Sequence, residues 1–149
     1  MSFKLPVSVL VVVHTRALDV LLLERATRPG YWQSVTGALE RVDEPLAVAA
    51  SREVSEETGI DAAAGRLEPW NIVNSFEIYA QWRHRYAPGV THNTEHVFAL
   101  VLPQRQPVTL APQEHTAYQW LTWSAAAAQC FSWTNRDAIL RLGARAARP

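Results

Sequence analysis

The sequence holds a single cysteine, Cys130, so no internal disulfide can form and no oxidising compartment is implied. A lone thiol of this kind is expected as a small buried hydrophobe. Lysine is equally scarce: Lys4 is the only one, and every other basic position is arginine. Neither sign of charge is in excess, with 14 Lys+Arg against 14 Asp+Glu. Nothing global therefore favours nucleic acid or an anionic membrane as a partner. No apolar run is long enough to span a bilayer. The longest near the start, Pro6 to Val13, lacks a small-residue cleavage site and runs straight into His14-Thr15-Arg16. It reads as a buried strand rather than a signal peptide, which leaves the cytoplasm as the expected location. Internal repeats, low-complexity linkers and breaks in composition are also missing, so residues 1–149 are expected to form one domain with one sizeable core. At 48% hydrophobic and 19% charged, the chain is too apolar to be disordered.

The residues present alternate between two periods. Val7 to His14 is β-branched and apolar, as a strand covered on both faces should be. Asp19 to Glu24 carries Val-Leu-Leu-Leu and is expected to pair with it. Arg28-Pro29-Gly30 is a turn, and Trp32 to Thr36 is a short extended piece ending at Gly37. Pro45 to Thr58 changes to helical spacing, with Pro45 in the first turn, Asp43 or Glu44 as a cap or dipole-complementing acid, and Gly59 as the stop. Ala47, Ala50 and Val54 form its apolar stripe. Trp70 to Trp82, Glu95 to Leu102 and Tyr118 to Trp123 read as strands, with Pro88-Gly89 in a loop. A last helix is expected over Trp133 to Ala144, capped by Ser132 or Thr134. Mixed strands flanked by helices give an α/β sandwich.

Chemistry concentrates in the stretch GALERVDEPLAVAASREVSEETGI, residues 37–60. On a helix, Glu53, Glu56 and Glu57 stand at i, i+3 and i+4 and share one face, away from the apolar stripe. Such a face suits a hard cation with oxygen ligands, Mg²⁺ above all. It is also affordable as an ordinary solvated face. Two like-charge pairs cost only about 0.2–0.5 kcal/mol each, and Arg52 offsets part of that.

The spacing around these residues resembles the Nudix box, Gly-x5-Glu-x7-Arg-Glu-(aliphatic)-x-Glu-Glu-x-Gly-(aliphatic). Glu44, Arg52, Glu53, Val54, Glu56, Glu57, Gly59 and Ile60 fall in register with it, while six residues rather than five separate Gly37 from Glu44. The departure is a one-residue insertion in the loop before the helix. The resemblance implies a Nudix-type α/β/α sandwich with a mixed β-sheet. It also implies hydrolysis of a pyrophosphate linkage in a small triphosphate with Mg²⁺, Mn²⁺ being a possible substitute. Glu53, Glu56, Glu57, Arg52 and Glu114 are then the catalytic set, with Glu53, Glu57 and Glu114 as metal ligands and Arg52 orienting Glu53 or Glu56.

Further stretches resemble one bacterial branch of the family, which converts 7,8-dihydroneopterin 3′-triphosphate to the monophosphate in folate biosynthesis. They are KLPVS (4–8), WQSVTG (32–37), FEI (76–78), RHRYAPGVTHNTE (83–95), EHTAYQWL (114–121) and SWTNRDAI (132–139). This closer resemblance implies that Lys4, Arg25, Thr36, Phe76, Glu77, Ile78, Tyr79 and Ser132 meet the substrate. Ala26 stands where a second arginine often follows Arg25. Each residue also has a plain reading: a solvated terminus for Lys4, a strand end for Arg25, a strand residue for Thr36, core for Phe76 and Tyr79, a helix cap for Ser132 and a loop acid for Glu114. Phe76 and Tyr79, an odd number apart, cannot share one strand face. A nucleoside triphosphate such as dATP is the alternative substrate, since the box alone does not distinguish the two. His84, His92 and His96 lack ligand spacing with cysteine, so zinc is not expected. The scattered tryptophans and arginines, without a basic run, do not make a nucleic-acid site. A monomer or small homo-oligomer is expected.

Overall fold

The computed structural model of the protein describes residues 2–146. Its centre is the β-branched run anticipated above, β1 (Val7–Thr15), in which Val9 to Val13 are fully buried. One edge of β1 runs parallel to β6 (His92–Leu102), from Val7 opposite Thr94 to Thr15 opposite Leu102. The other edge is shared by two antiparallel partners. β4 (Val35–Ala38) takes the Ser8–Val11 end and β2 (Asp19–Arg25) takes the His14 end, opposite Val20. β2 goes on to pair with β3 (Trp32–Gln33) and β7 (His115–Thr122), and β6 pairs with β5 (Arg66–Glu77). The result is a seven-stranded mixed sheet that forks where β4 and β2 part company.

Alternation along β1 explains the layers. Val9, Val11 and Val13 face one way and pack with Phe98 and Leu100 against Ala49, Ala50 and Val54 of α1 (Leu46–Thr58). Leu10 and Val12 face the other way and pack with Val97 and Ala99 against α2 (Trp123–Gln129) and α3 (Trp133–Ala146) through Ala126, Ala127, Ala138, Ile139 and Leu142. This is the α/β/α sandwich expected. No helix among the described residues is long and apolar enough to cross a membrane.

Several elements differ from the sequence reading. The extended piece at 32–36 is two strands, because the Ser34 N–H leaves the ladder and donates to Asn135 Oδ1 on α3 at 2.8 Å. β5 begins at Arg66 and stops at Glu77, and Ala80–Arg85 is a 3₁₀ turn where strand was expected. Trp123 opens α2, a helix of small residues that the sequence reading passed over. In α1, Pro45 is the N-cap rather than part of the first turn, and no side chain caps it. Ala47 is exposed; the buried stripe runs through Ala49, Ala50 and Val54. Gly59 ends the helix as expected, with φ +71 and its N–H donating to Ser55 O at 2.9 Å.

Candidate active site

Glu53 and Glu57 lie one turn apart on α1 and are both buried, at 9% and 3% exposure, whereas Glu56 is exposed. The acidic face is thus not a solvated one. It is the margin of the packed face, tucked beneath β4. Gly37 makes the fit possible: a Cβ there would sit 2.0 Å from Glu53 Cδ. The insertion before the helix has left this contact in place. It is taken up in a turn where the Glu44 N–H donates to Arg41 O at 3.2 Å and the Glu40 N–H donates to Glu44 Oε1 at 2.9 Å.

Glu44, expected as a cap, is instead the buried partner of Arg52. The guanidinium grips it with Nε at 2.9 Å and Nη2 at 3.0 Å, and donates to Ala38 O on β4 at 3.2 Å. Its remaining nitrogen, Nη1, donates to Glu53 Oε1 at 2.8 Å and more weakly to Glu56 Oε2 at 3.4 Å. One arginine therefore ties the loop, the strand and the acidic helix together, and fixes where the Glu53 carboxylate points. The Arg52 hydrogen bonds hold Glu44 below the usual glutamate range. Burial has the opposite effect on Glu53, raising it despite Arg52. Glu57 is pushed well above the ordinary value by burial first, then by the charges of Glu53 and Glu114. Its Oε1 is buried without any hydrogen-bond partner.

Two buried carboxylates that resist ionisation beside each other, one with an orphaned oxygen, form a site that a divalent cation would satisfy. Among the described residues, no three His, Cys, Asp or Glu side chains converge at ligand spacing. A cation here would draw its other oxygens from water and phosphate, as Mg²⁺ commonly does. Glu114 is exposed in the turn just before β7 and borders the same cavity as Glu53, Glu56 and Glu57. His115 beside it is buried, and burial followed by the charge of Arg25 lowers it to about 4.

The acidic cavity adjoins a second compartment, and the two share Lys4, Arg25, Gln33, Thr36 and Arg85 as their dividing wall. The acidic side is roomy, about 520 Å³, and the other is narrow, about 130 Å³. Lys4 and Arg25 are both lowered by burial and by repulsion from neighbouring arginine, Arg85 foremost. Arg25 lies 4.7 Å over the Trp82 ring, and its Nε is buried with no partner. Cations crowded this way without a matched acid attract an anion.

The narrow side is aromatic. Tyr79 meets Trp82 edge-on at 5.2 Å, and Phe131 lies 6.4 Å from each. Phe76, Ile78 and Ser132 complete the wall. Phe76 and Tyr79 both face it because β5 ends at Glu77, so the odd-spacing rule for strands does not reach Tyr79. Glu77 is the exception among the expected substrate residues: it lines neither compartment and pairs with Arg83. The Ser132 hydroxyl lies 3.0 Å from that of Thr134. The sequence reading missed Arg85, Gln33, Asn93, Glu95 and Asn135 as wall residues. All five lie in the stretches that carry the closer resemblance, and Asn93 and Glu95 left a signal in the pattern as well, two polar residues at strand spacing just ahead of the apolar Val97 and Ala99.

Comparison with known proteins agrees with this architecture. The model of the NUDIX domain matches residues 4–142. The dihydroneopterin triphosphate diphosphatase of Escherichia coli strain K12 is 47% identical over 140 residues, spanning 92% of this chain and 91% of that protein. The Haemophilus influenzae protein of the same name is 35% identical over 142 residues, 93% of this chain and 88% of that one. The solved structure of the E. coli dihydroneopterin triphosphate pyrophosphohydrolase superposes with a TM-score of 0.87 at 45% identity, covering 95% of this chain and 97% of the other. A Listeria monocytogenes structure with 23% identity and a TM-score of 0.77, covering 98% of this chain and 94% of that one, shares the fold. The buried acidic pair fits the divalent cation that enzymes of this kind use, and the chain belongs to the Nudix hydrolases.

Proposed function

We propose that this chain hydrolyses 7,8-dihydroneopterin 3′-triphosphate to the monophosphate and pyrophosphate with Mg²⁺, Mn²⁺ being able to take its place. One observation carries the reading. A narrow aromatic compartment opens, across a wall of Lys4, Arg25 and Arg85, into a roomy acidic one. A flat heterocycle fits the first, and a metal-bound triphosphate fits the second. The similarity to the E. coli and H. influenzae enzymes supports the same substrate.

Glu53 and Glu57 hold the cation in this reading, with Glu114 contributing from the turn just before β7. When bound, Mg²⁺ supplies charge neutralisation at the phosphate oxygens and acidifies a water. Arg52 keeps the Glu53 carboxylate aimed at the site, and its hold on Glu44 keeps Arg52 itself in place. Lys4 and Arg25 bind the phosphates and orient the chain of anhydride bonds, and Thr36 offers its hydroxyl at the junction. Phe76, Ile78, Tyr79 and Ser132 hold the ring. Glu56 is exposed beside the pair and makes contact through water.

Rates on dihydroneopterin triphosphate and on the four deoxynucleoside triphosphates, measured side by side with Mg²⁺ and with the released fragment identified, test this. Faster turnover of the pterin compound with release of pyrophosphate is expected. Rapid turnover of dATP or another deoxynucleotide with none of the pterin compound would reject it.

A further inference from the structure

The floor of the aromatic compartment is polar, and the substrate residues named so far do not account for it. On β6, Asn93, Glu95, Val97 and Ala99 point to the same side of the sheet. Val97 and Ala99 are covered by helices. Asn93 and Glu95 instead border the compartment, and both are only 4% exposed. Glu95 stands in register between Ser8 on β1 and Asn74 on β5. Its Oε1 is buried with no hydrogen-bond partner. Asn93 donates from Nδ2 to Ser8 Oγ at 2.7 Å and leaves its Oδ1 equally bare. A buried acceptor without a donor is costly, and a packed leucine would avoid the cost. Two such acceptors side by side call for a ligand that brings its own N–H groups.

We infer that Glu95 determines which ring the compartment accepts, its carboxylate taking hydrogen bonds from the 2-amino group and the N3–H of a 2-amino-4-oxo pyrimidine edge. That edge presents two adjacent donors to two carboxylate oxygens. Adenine presents one amino donor beside a bare ring nitrogen, whose lone pair would face a carboxylate oxygen. The proposal deepens the reaction proposed above by naming what selects its ring, and it rests on that reading for the ring's place in the aromatic compartment.

Fluorescence titration of the full chain without metal, using pterin and its 2-oxo counterpart lumazine as probes, tests it apart from hydrolysis. The wild type should bind pterin tighter by about tenfold or more, the cost of leaving a buried acceptor facing another acceptor. Glu95→Gln should reverse the order, because its amide can donate to the 2-oxo group while still accepting from N3–H. It should bind lumazine more tightly than the wild type does, a gain that a merely damaged fold cannot produce. Equal affinity of the wild type for the two rings, an unchanged preference in Glu95→Gln, or no measurable binding of either ring would overturn it. Ring selection without hydrolysis of dihydroneopterin triphosphate would sink the proposed reaction and leave Glu95 its role; hydrolysis without ring selection would do the reverse.

Discussion

Replacing Gly37 by alanine tests whether β4 sets the position of the acidic pair. The added Cβ would lie 2.0 Å from Glu53 Cδ and 2.2 and 2.4 Å from its oxygens, where ordinary contact begins at 3.4 Å. β4 cannot yield easily, because Gly37 is in register with the fully buried Val9 of the central strand. The side chain of Glu53 must therefore retreat by more than about 1 Å, a misplacement that costs on the order of 100-fold in rate. The retreat also breaks the 2.8 Å bond from Arg52. The fold itself should tolerate the change, since Gly37 has no positive φ and alanine is no worse than glycine in a strand. Steady-state pyrophosphate release, a Mg²⁺ titration and a thermal melt read the three effects. The expected result is kcat lower by about 100-fold, a weaker apparent affinity for Mg²⁺, and a Tm within about 5 °C of wild type. A variant with wild-type kcat and unchanged Mg²⁺ dependence would refute the idea that this contact positions Glu53.

Glu57→Gln should separate activity from stability. Its kcat should fall at least about 100-fold, no less than the loss of an outer-shell partner. The folded Glu57 titrates above its ordinary 4.5, so the metal-free wild type loses stability as pH rises through that raised value, and the glutamine variant, which keeps only the raised Glu53 of the pair, loses less; melts across pH show whether the curves diverge in that direction. Arg52→Ala strands the buried Glu44 carboxylate and should cost about 3 kcal/mol in urea unfolding, as breaking buried pairs does; a change below about 0.5 kcal/mol would mean the clamp is not structural. His115 sits at about 4 in the fold against an ordinary 6.5, so the unfolded chain binds more protons between those values. Stability held above pH 6.5 should drain away as pH falls through about 4, and His115→Gln should flatten that part of the Tm profile.

Strong local signals in the sequence carried the framework. The run Val9 to Val13 could only be a strand covered on both sides, and Gly59 could only stop a helix whose acids were already at i and i+4. Other features depended on tertiary partners. Ser34 splits one extended piece into two because Asn135, 101 positions away, takes its N–H. Glu44 looked like a helix-capping acid until Arg52 was seen to claim both its oxygens. The edge of the apolar stripe was misplaced by Ala47, because alanine reads as apolar whether or not anything covers it. Arg85 and Gln33 lie in stretches that carry the family resemblance, but neither spacing nor composition marked them as wall residues, since their place in the wall follows from a 3₁₀ turn and a two-residue strand. Asn93 and Glu95 were legible in principle, as a lapse in the apolar alternation of an otherwise buried strand.

The sheet separates two kinds of inheritance. The helix that carries the buried acidic pair belongs to one layer, while the polar floor of the aromatic compartment is supplied by β6 and α3. With Glu95 selecting the ring as inferred above, changes in the floor would alter which heterocycle is admitted and leave bond cleavage intact. A lineage built on this chassis is free to swap its cargo without relearning its chemistry.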